Sequence, residues 1–377
     1  MKIVVLGCGR VGSAIARDLA AGSDVEVTVV DRSRELLQHL AAVAPVKTVA
    51  TNLQSRDAIA SAIAIADLVV SAVPGFMGHV TLRTIIESGK NVVDIALAEE
   101  DPMQLDELAR QRDVTAVVDC GVAPGLSNII AGAQIAQMER VDKFTCFVGG
   151  LPVERVPPFE YKAPFSPIDV IEEYTRPARL VLNGEVVTRP ALSDLEEIEF
   201  KELGRLEAFN TDGLRTLIKT VSIPMMSEKT LRYPGHVDTI LLLRDLGLLA
   251  REPVTVRDQM AAPLELTTEL LFKHWAYSEG EADLTVMRVE VEGIEDGKAV
   301  LREFDMLDYY DEASGVSSMA RTTGYTCNAA VQLIASGRYS RPGVSPPEFL
   351  GMDGFFPDVK AYLSERGVGL RESTRSG

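Results

Sequence analysis

Along the first 120 residues, short apolar runs alternate with longer stretches whose apolar positions recur every three to four residues. The runs Lys2–Leu6, Glu26–Val30, Lys47–Ala50, Leu68–Ala72, Asn91–Ile95 and Thr115–Asp119 predict strands, and stretches such as Ser13–Ala21 and Pro102–Gln111 predict helices between them. Apolar runs of this kind belong to a parallel sheet covered on both faces, so six of them predict a Rossmann-type, doubly wound α/β domain. From about residue 125 the pattern changes to alternating, more polar strands, the mark of a mixed sheet with one wet face. Turns are expected at Asn183-Gly184, around Leu203-Gly204 and near Glu295-Asp296-Gly297. A helical pattern over Ser317–Ser336, a Pro/Gly-rich stretch Arg341–Pro347 and an amphipathic segment Pro357–Arg366 follow, the last expected to return to the first domain. The domain expectation is therefore residues 1–125 with about 337–371 for the Rossmann domain, and 126–336 for an α+β substrate and dimerisation domain. The polar tail, residues 372–377, is expected to be disordered.

Composition narrows the function. Lys plus Arg number 38 against 55 Asp plus Glu, a net charge of −17, and a surface this acidic repels nucleic acid and anionic membranes. The most apolar stretch, Ile59–Val73, is broken by Ser61, Asp67 and Ser71 and falls short of a bilayer span. The opening Met1–Leu6 is cut off by Gly7-Cys8-Gly9-Arg10 before a signal-peptide core forms, so it reads as a first strand. Cys8, Cys120, Cys146 and Cys327 are widely separated, which suits a reducing, cytoplasmic setting. No metal site is expected, because the histidines at 39, 79, 236 and 274 and the cysteines lack ligand spacing.

Gly7-Cys8-Gly9-Arg10-Val11-Gly12 is a G-x-G-x-x-G between a predicted strand and a predicted helix, the context in which this short motif becomes informative. Gly7 permits the tight turn, Gly9 lets backbone approach a pyrophosphate, and Gly12 allows close helix–strand packing while the helix N-terminus faces the phosphates. Asp31, nineteen residues beyond Gly12, can accept from the adenosine ribose hydroxyls and repel a 2′-phosphate, which favours NAD over NADP; Arg32 and Arg34 pull the other way. Asn52 and the Ala72-Val73-Pro74 stretch after the fourth strand complete the candidate cofactor contacts, with Arg10, Val11 and Arg32.

The segment Asp119-Cys120-Gly121-Val122-Ala123-Pro124-Gly125-Leu126-Ser127-Asn128 resembles the saccharopine dehydrogenase/reductase superfamily, with its Pro-Gly after the last Rossmann strand. Phe147–Pro152, Glu172–Arg179, Asp212–Arg215, Thr230–His236 and Met319–Gly324 resemble its L-lysine 6-dehydrogenase branch, and the likeness covers nearly the whole chain. The resemblance implies a homodimeric, NAD-dependent enzyme that oxidatively deaminates the ε-amino group of the amino-acid substrate L-lysine. The product would be 2-aminoadipate 6-semialdehyde, which cyclises to a piperideine carboxylate.

Such chemistry needs a neutral amine, whereas a lysine ammonium has a pKa near 10.4, so a base or a desolvated pocket is required. Asp119, at a strand's carboxyl end, and His236, after Pro234-Gly235, are the candidate catalytic residues, weighed against a turn-forming aspartate and a packing histidine. Asp212 and Arg215 stand three apart at an expected helix start, where Arg215 could clamp the α-carboxylate; the alternative is a cap and a solvated arginine. Tyr161, Thr211 and Thr322 complete the candidate substrate contacts. Three rivals stay open: a saccharopine-forming reductase drawing on Arg176, Arg179, Arg232 and Arg321, a carboxylated-polyamine dehydrogenase, and a non-catalytic NAD-sensing protein.

Overall fold

The computed structural model describes residues 1–22, 24–163, 167–278 and 280–376, with side chains of 167–169 outside the description. The first strands are β1 (Lys2–Leu6), β2 (Glu26–Asp31), β3 (Lys47–Ala50), β4 (Leu68–Ser71), β5 (Asn91–Asp94) and β6 (Thr115–Val117). They are followed by β7 (Arg140–Pro152), β8 (Ala178–Leu182), β9 (Glu185–Arg189), β10 (Glu196–Phe200), β11 (Gly204–Asn210) and β12 (Met225–Arg232). The last are β13 (Val254–Val256), β14 (Gln259–Ala261), β15 (Asp283–Glu295), β16 (Lys298–Tyr309), β17 (Gly343–Ser345) and β18 (Leu370–Ser376).

Two compact units result: Met1–Met138 with Ala320–Leu370, and Glu139–Met319 with Arg371–Gly377. In the first, a parallel sheet runs β17-β6-β5-β4-β1-β2-β3. Strand order reverses between β1 and β4, the switch point where such sheets bind ligands beyond their carboxyl ends. The apolar runs explain the arrangement, since Val4, Leu6, Val69, Val92 and Ala116 are buried in one cluster under the helices. Six strands were expected; β17 is a seventh, from the Pro/Gly-rich stretch, where Gly343 (φ +124°) lets the chain turn in beside β6.

The C-terminal segment returns to this unit. Helices Ser318–Ala335 and Phe356–Glu365 meet at the helix Arg10–Ala20. There the Asp18 carboxylate accepts from Asn328 Nδ2 at 2.7 Å, Tyr362 Oη at 2.6 Å and Arg366 Nε at 2.6 Å. Helix Leu126–Gln137 also lies in the first unit, beyond the boundary expected at 125. Its backbone packs so tightly on Pro347–Met352 that a Cβ at Gly132 would lie 1.9 Å from Glu348 O.

The second unit is built on a mixed sheet, β10-β11-β12-β7-β15-β16-β18, with β8 and β9 branching from β12. β12 runs parallel to β7, while the hairpins β8–β9, β10–β11 and β15–β16 are antiparallel. Asn183 and Asp296, both left-handed before glycine, make two of those turns. The tail expected to be disordered is instead the edge strand β18 as far as Ser376, with Gly377 outside the described residues. Arg371 Nη2 reaches Asp305 Oδ2 and Arg375 Nη2 reaches Glu303 Oε1, each at 3.1 Å, so its polar side chains pair with the acids of β16.

Candidate functional site

In the first unit the glycine loop leaves β1 at the switch point. Gly7 has φ +104°, and a Cβ there would stand 2.4 Å from Ala72 O. A Cβ at Gly12 would stand 2.3 Å from Gly7 O and 3.4 Å from the Ala72 methyl. Gly7, Gly12, Ala72 and Val73 are thus brought together with no room for a side chain. Gly9 differs: it caps the helix Arg10–Ala20, and nothing lies within 4 Å of where its Cβ would be. A helix N-terminus favours negative charge, and the room left at Gly9 before the helix Arg10–Ala20 lets the loop fit a pyrophosphate.

Asp31 closes the loop from β2. Its Oδ2 accepts from Cys8 N at 2.7 Å and its Oδ1 from Ser33 N at 2.8 Å. A carboxylate oxygen accepts more than one hydrogen bond, so Asp31 can anchor the loop and still meet a ribose hydroxyl. Arg32 and Arg10 are exposed, and Pro74 caps the helix Gly75–Glu87 at the end of the β4 segment. Asn52 turns its side chain to Gln54, accepting from Gln54 N at 3.1 Å.

Beyond β6, Asp119 is buried with φ +49°. Cys120 N donates to Asp94 O at 3.0 Å, and burial beside Asp119 and Asp94 pushes the Cys120 thiol up to about 12, so it stays protonated. Thr322 lies on the helix Ser318–Ala335, one turn before Thr326, whose carbonyl is 4.0 Å from Cys120 Sγ. The structure therefore sets the helix that carries Thr322 against the loop that follows Asp119.

The second unit gathers a different set. His236 Nδ1 is 2.9 Å from the Phe159 carbonyl, which only accepts, so the proton sits on Nδ1. Nε2 then accepts from Tyr174 Oη at 2.9 Å, and Tyr174 Oη accepts from Arg232 Nε at 3.0 Å. Arg232 Nη2 reaches Glu173 Oε2 at 2.5 Å, and its guanidinium lies 4.3 Å from the Tyr161 ring centroid. Burial and the Arg232 charge hold the His236 imidazole down at about 3, against the opposing pull of the Phe159 carbonyl. At 2% exposed, with both nitrogens engaged, His236 is placed as a neutral packing histidine; the base expected from its sequence context is not what this geometry offers.

Tyr161 and Trp275 pack edge to face at 5.2 Å beside it. The Tyr161 hydroxyl and Trp275 Nε1 are buried without a hydrogen-bond partner among the described residues. Asp212 does not begin a helix: its carboxylate accepts from Arg179 Nε at 2.8 Å and Nη2 at 2.9 Å, while the next helix is Leu217–Thr220. Thr211 Oγ1 accepts from Thr230 Oγ1 at 3.1 Å, and Arg215 is 9% exposed with φ +49°. The reading from sequence missed Tyr174 and Trp275 as partners of His236, and Glu173 as the partner of Arg232; their separation along the chain left no local signal. Among the described residues no group of three His, Cys, Asp or Glu side chains is placed to hold a metal ion, and no helix is long and apolar enough to cross a membrane.

The switch-point loop and its buried glycine contacts define a nicotinamide-nucleotide-binding α/β protein carrying a second, mixed-sheet unit. Family models narrow this further: the saccharopine dehydrogenase NADP binding domain matches residues 3–117, and the saccharopine dehydrogenase C-terminal domain matches residues 121–365. The chain belongs to the saccharopine dehydrogenase family of oxidoreductases. It is similar to the mitochondrial alpha-aminoadipic semialdehyde synthase of Bos taurus, 22% identical over 92% of this chain; the chain spans 45% of that relative's length. It is also similar to saccharopine dehydrogenase [NADP(+), L-glutamate-forming] of Schizosaccharomyces pombe, 23% identical over 98% of each. The apo saccharopine dehydrogenase (L-Glu forming) of Saccharomyces cerevisiae shares the fold, with a TM-score of 0.81 at 20% identity over 99% of both chains.

Proposed function

We propose that the protein oxidises the ε-amino group of L-lysine with NAD, giving 2-aminoadipate 6-semialdehyde, ammonia and NADH. The observation that carries the substrate is the state of four arginines. Saccharopine bears three carboxylates, and a site for it would draw on several guanidinium groups. Arg176 pairs with Glu172 at 3.4 Å, Arg179 with Asp212, Arg232 with Glu173, and Arg321 Nη2 donates to Arg366 O at 2.8 Å. Each is engaged inside its own unit, which supports a substrate with a single α-carboxylate. Asp31 supports NAD, since its carboxylate at the end of β2 opposes a 2′-phosphate.

A lysine ammonium, with an ordinary pKa near 10.4, must lose a proton before its carbon can give up hydride. In this reading Asp119 takes that proton, and its burial keeps competing water from the carboxylate. The nucleotide, when bound, supplies the hydride acceptor. Asp119 passes that proton to solvent, then accepts one from the water that attacks the resulting imine carbon and returns it to the nitrogen as the carbon–nitrogen bond breaks. The sum is lysine ammonium, NAD and water giving aldehyde, ammonium ion, NADH and one proton. His236 holds Tyr174 and Arg232 in place and takes no proton in this scheme. We carry a homodimer as part of the same proposal, supported by exposed apolar side chains between residues 242 and 270.

Purified protein supplied with NAD and L-lysine should form NADH together with a piperideine product, and should do so less well with NADP. Turnover of saccharopine without turnover of lysine would reverse the substrate assignment. Tight NADH binding with no turnover across a panel of amines would instead favour a nucleotide sensor.

A further inference from the structure

The loop carrying Asp119 is braced from beneath by buried polar groups drawn from a remote part of the chain. Gly125 has φ +133°, and a Cβ there would lie 2.0 Å from Gly121 O, so the loop folds back on itself without room for a side chain. Gly125 N donates to Asn128 Oδ1 at 3.2 Å, and Ser127 Oγ donates to the same oxygen at 3.2 Å. Asn128 Nδ2 in turn donates to Glu348 Oε2 at 3.0 Å, across 220 residues of sequence. Asn128 and Glu348 are both 0% exposed.

A side-chain amide has one donating end and one accepting end, and it can turn over about its last bond. A carboxylate oxygen only accepts, so Glu348 fixes which end of Asn128 faces it. The amide oxygen is thereby left toward Gly125 N and Ser127 Oγ. With no acceptor at that place, a turned-over amide would set its NH2 group against the Gly125 N–H and release the loop. Burying a carboxyl group is costly, and an apolar residue of similar volume would fill the space at lower cost if packing were all that was needed.

We propose that Glu348 is a positioning residue that acts through Asn128 on the Gly121–Gly125 loop and so sets Asp119 against the substrate amine. The inference rests on the reading of Asp119 as the group that takes the amine proton. Its other support is the packing of Pro347–Met352 on Leu126–Gln137, where a Cβ at Gly351 would lie 2.0 Å from Ile129 O, so Glu348 has little freedom to shift.

Glu348→Met keeps the length and removes the acceptor, whereas Glu348→Gln keeps an oxygen that can face Asn128. The Met variant should lose about 10- to 100-fold in kcat/KM for lysine, the range for orienting partners of active groups, with its dissociation constant for NADH within about twofold of native. Its Gly125, Leu126 and Ser127 amides should exchange hydrogen faster while those of Gly9–Gly12 do not, and the Gln variant should restore both readouts. Native exchange at Gly125 in the Met variant would overturn the inference, as would a loss of NADH binding in parallel with activity. If the Met variant does not fold, Ser127→Ala is judged by the same readouts. If the native protein does not turn over lysine, the functional reading fails, and hydrogen exchange still decides whether Glu348 braces the loop.

Discussion

Gly9 and Gly12 stand three residues apart in the same loop, yet a methyl group would meet different things at each. At Gly12 it would strike the Gly7 carbonyl, so alanine must disturb the loop whether or not nucleotide is present. At Gly9 it would enter open space, and the backbone there, φ −70°, suits any residue. Gly9→Ala should therefore melt only a few degrees below the native protein, since alanine in place of glycine at an N-cap costs about 1 kcal/mol. Its dissociation constant for NADH should rise at least about tenfold, because the methyl takes the place of a phosphate oxygen. Unchanged affinity would move the phosphates away from this loop. His236 makes a prediction of another kind. Its folded pKa is held near 3 against an ordinary 6.5, by burial and then by Arg232. Below pH 6.5 the unfolded chain binds a proton that the folded chain refuses. The stability His236 contributes is thus complete above pH 6.5 and falls by up to about 1.4 kcal/mol per pH unit toward pH 3. Urea unfolding of His236→Gln between pH 7 and 4 should show a shallower loss than the native protein, and parallel curves would refute the assignment.

Elements whose reason lies in neighbouring residues were legible in the sequence, and those whose reason lies elsewhere were not. The phosphate loop needs its glycines within six residues, and the β8–β9 and β15–β16 hairpins turn on Asn183-Gly184 and Asp296-Gly297, so each could be read locally. β17 gives no strand signal because its Pro and Gly neighbours disguise three residues that pair only once β6 is beside them. The tail looked disordered because it lacks apolar residues, yet Arg371 and Arg375 find acids on β16. Asp212 looked like a helix cap three residues from Arg215, but Arg179, thirty-three residues upstream, takes its carboxylate. The set around His236 joins residues from Phe159 to Trp275, and no spacing rule foretells it. Asp18 illustrates the same limit within the first unit. An acid near a helix C-terminus is unfavourable by itself, and it is offset here by Arg366, Tyr362 and Asn328, all more than 300 residues away.

On the scale of the whole molecule, a chain of net charge −17 tends to repel its own copies, so self-association requires a face with other properties. The segment from the helix His236–Asp245 through the hairpin β13–β14 to the helix Pro263–Trp275 has them. Leu242, Leu246, Val256, Met260, Leu266 and Leu270 are each more than half exposed, while Val237, Ile240, Leu271 and Trp275 face the core of the second unit. β13 and β14 form a two-stranded sheet of their own with every residue exposed, an arrangement marginal in water unless something covers it. Charges along the segment alternate as Arg244-Asp245, Arg251-Glu252 and Arg257-Asp258, so a two-fold axis can set the face against itself and match each charge with its opposite. Six large apolar side chains more than half exposed give the face an apolar centre of the kind around which a standard interface of ~800 Å² per partner is built. Sedimentation equilibrium at micromolar concentration should give twice the chain mass of 40.9 kDa. The double variant Val256→Asp with Met260→Asp should sediment at the single-chain mass, with its NADH affinity retained because the phosphate loop lies in the first unit. A native protein that sediments as a single chain would end the proposal of a homodimer, and a double variant that remains dimeric would move the interface to another face.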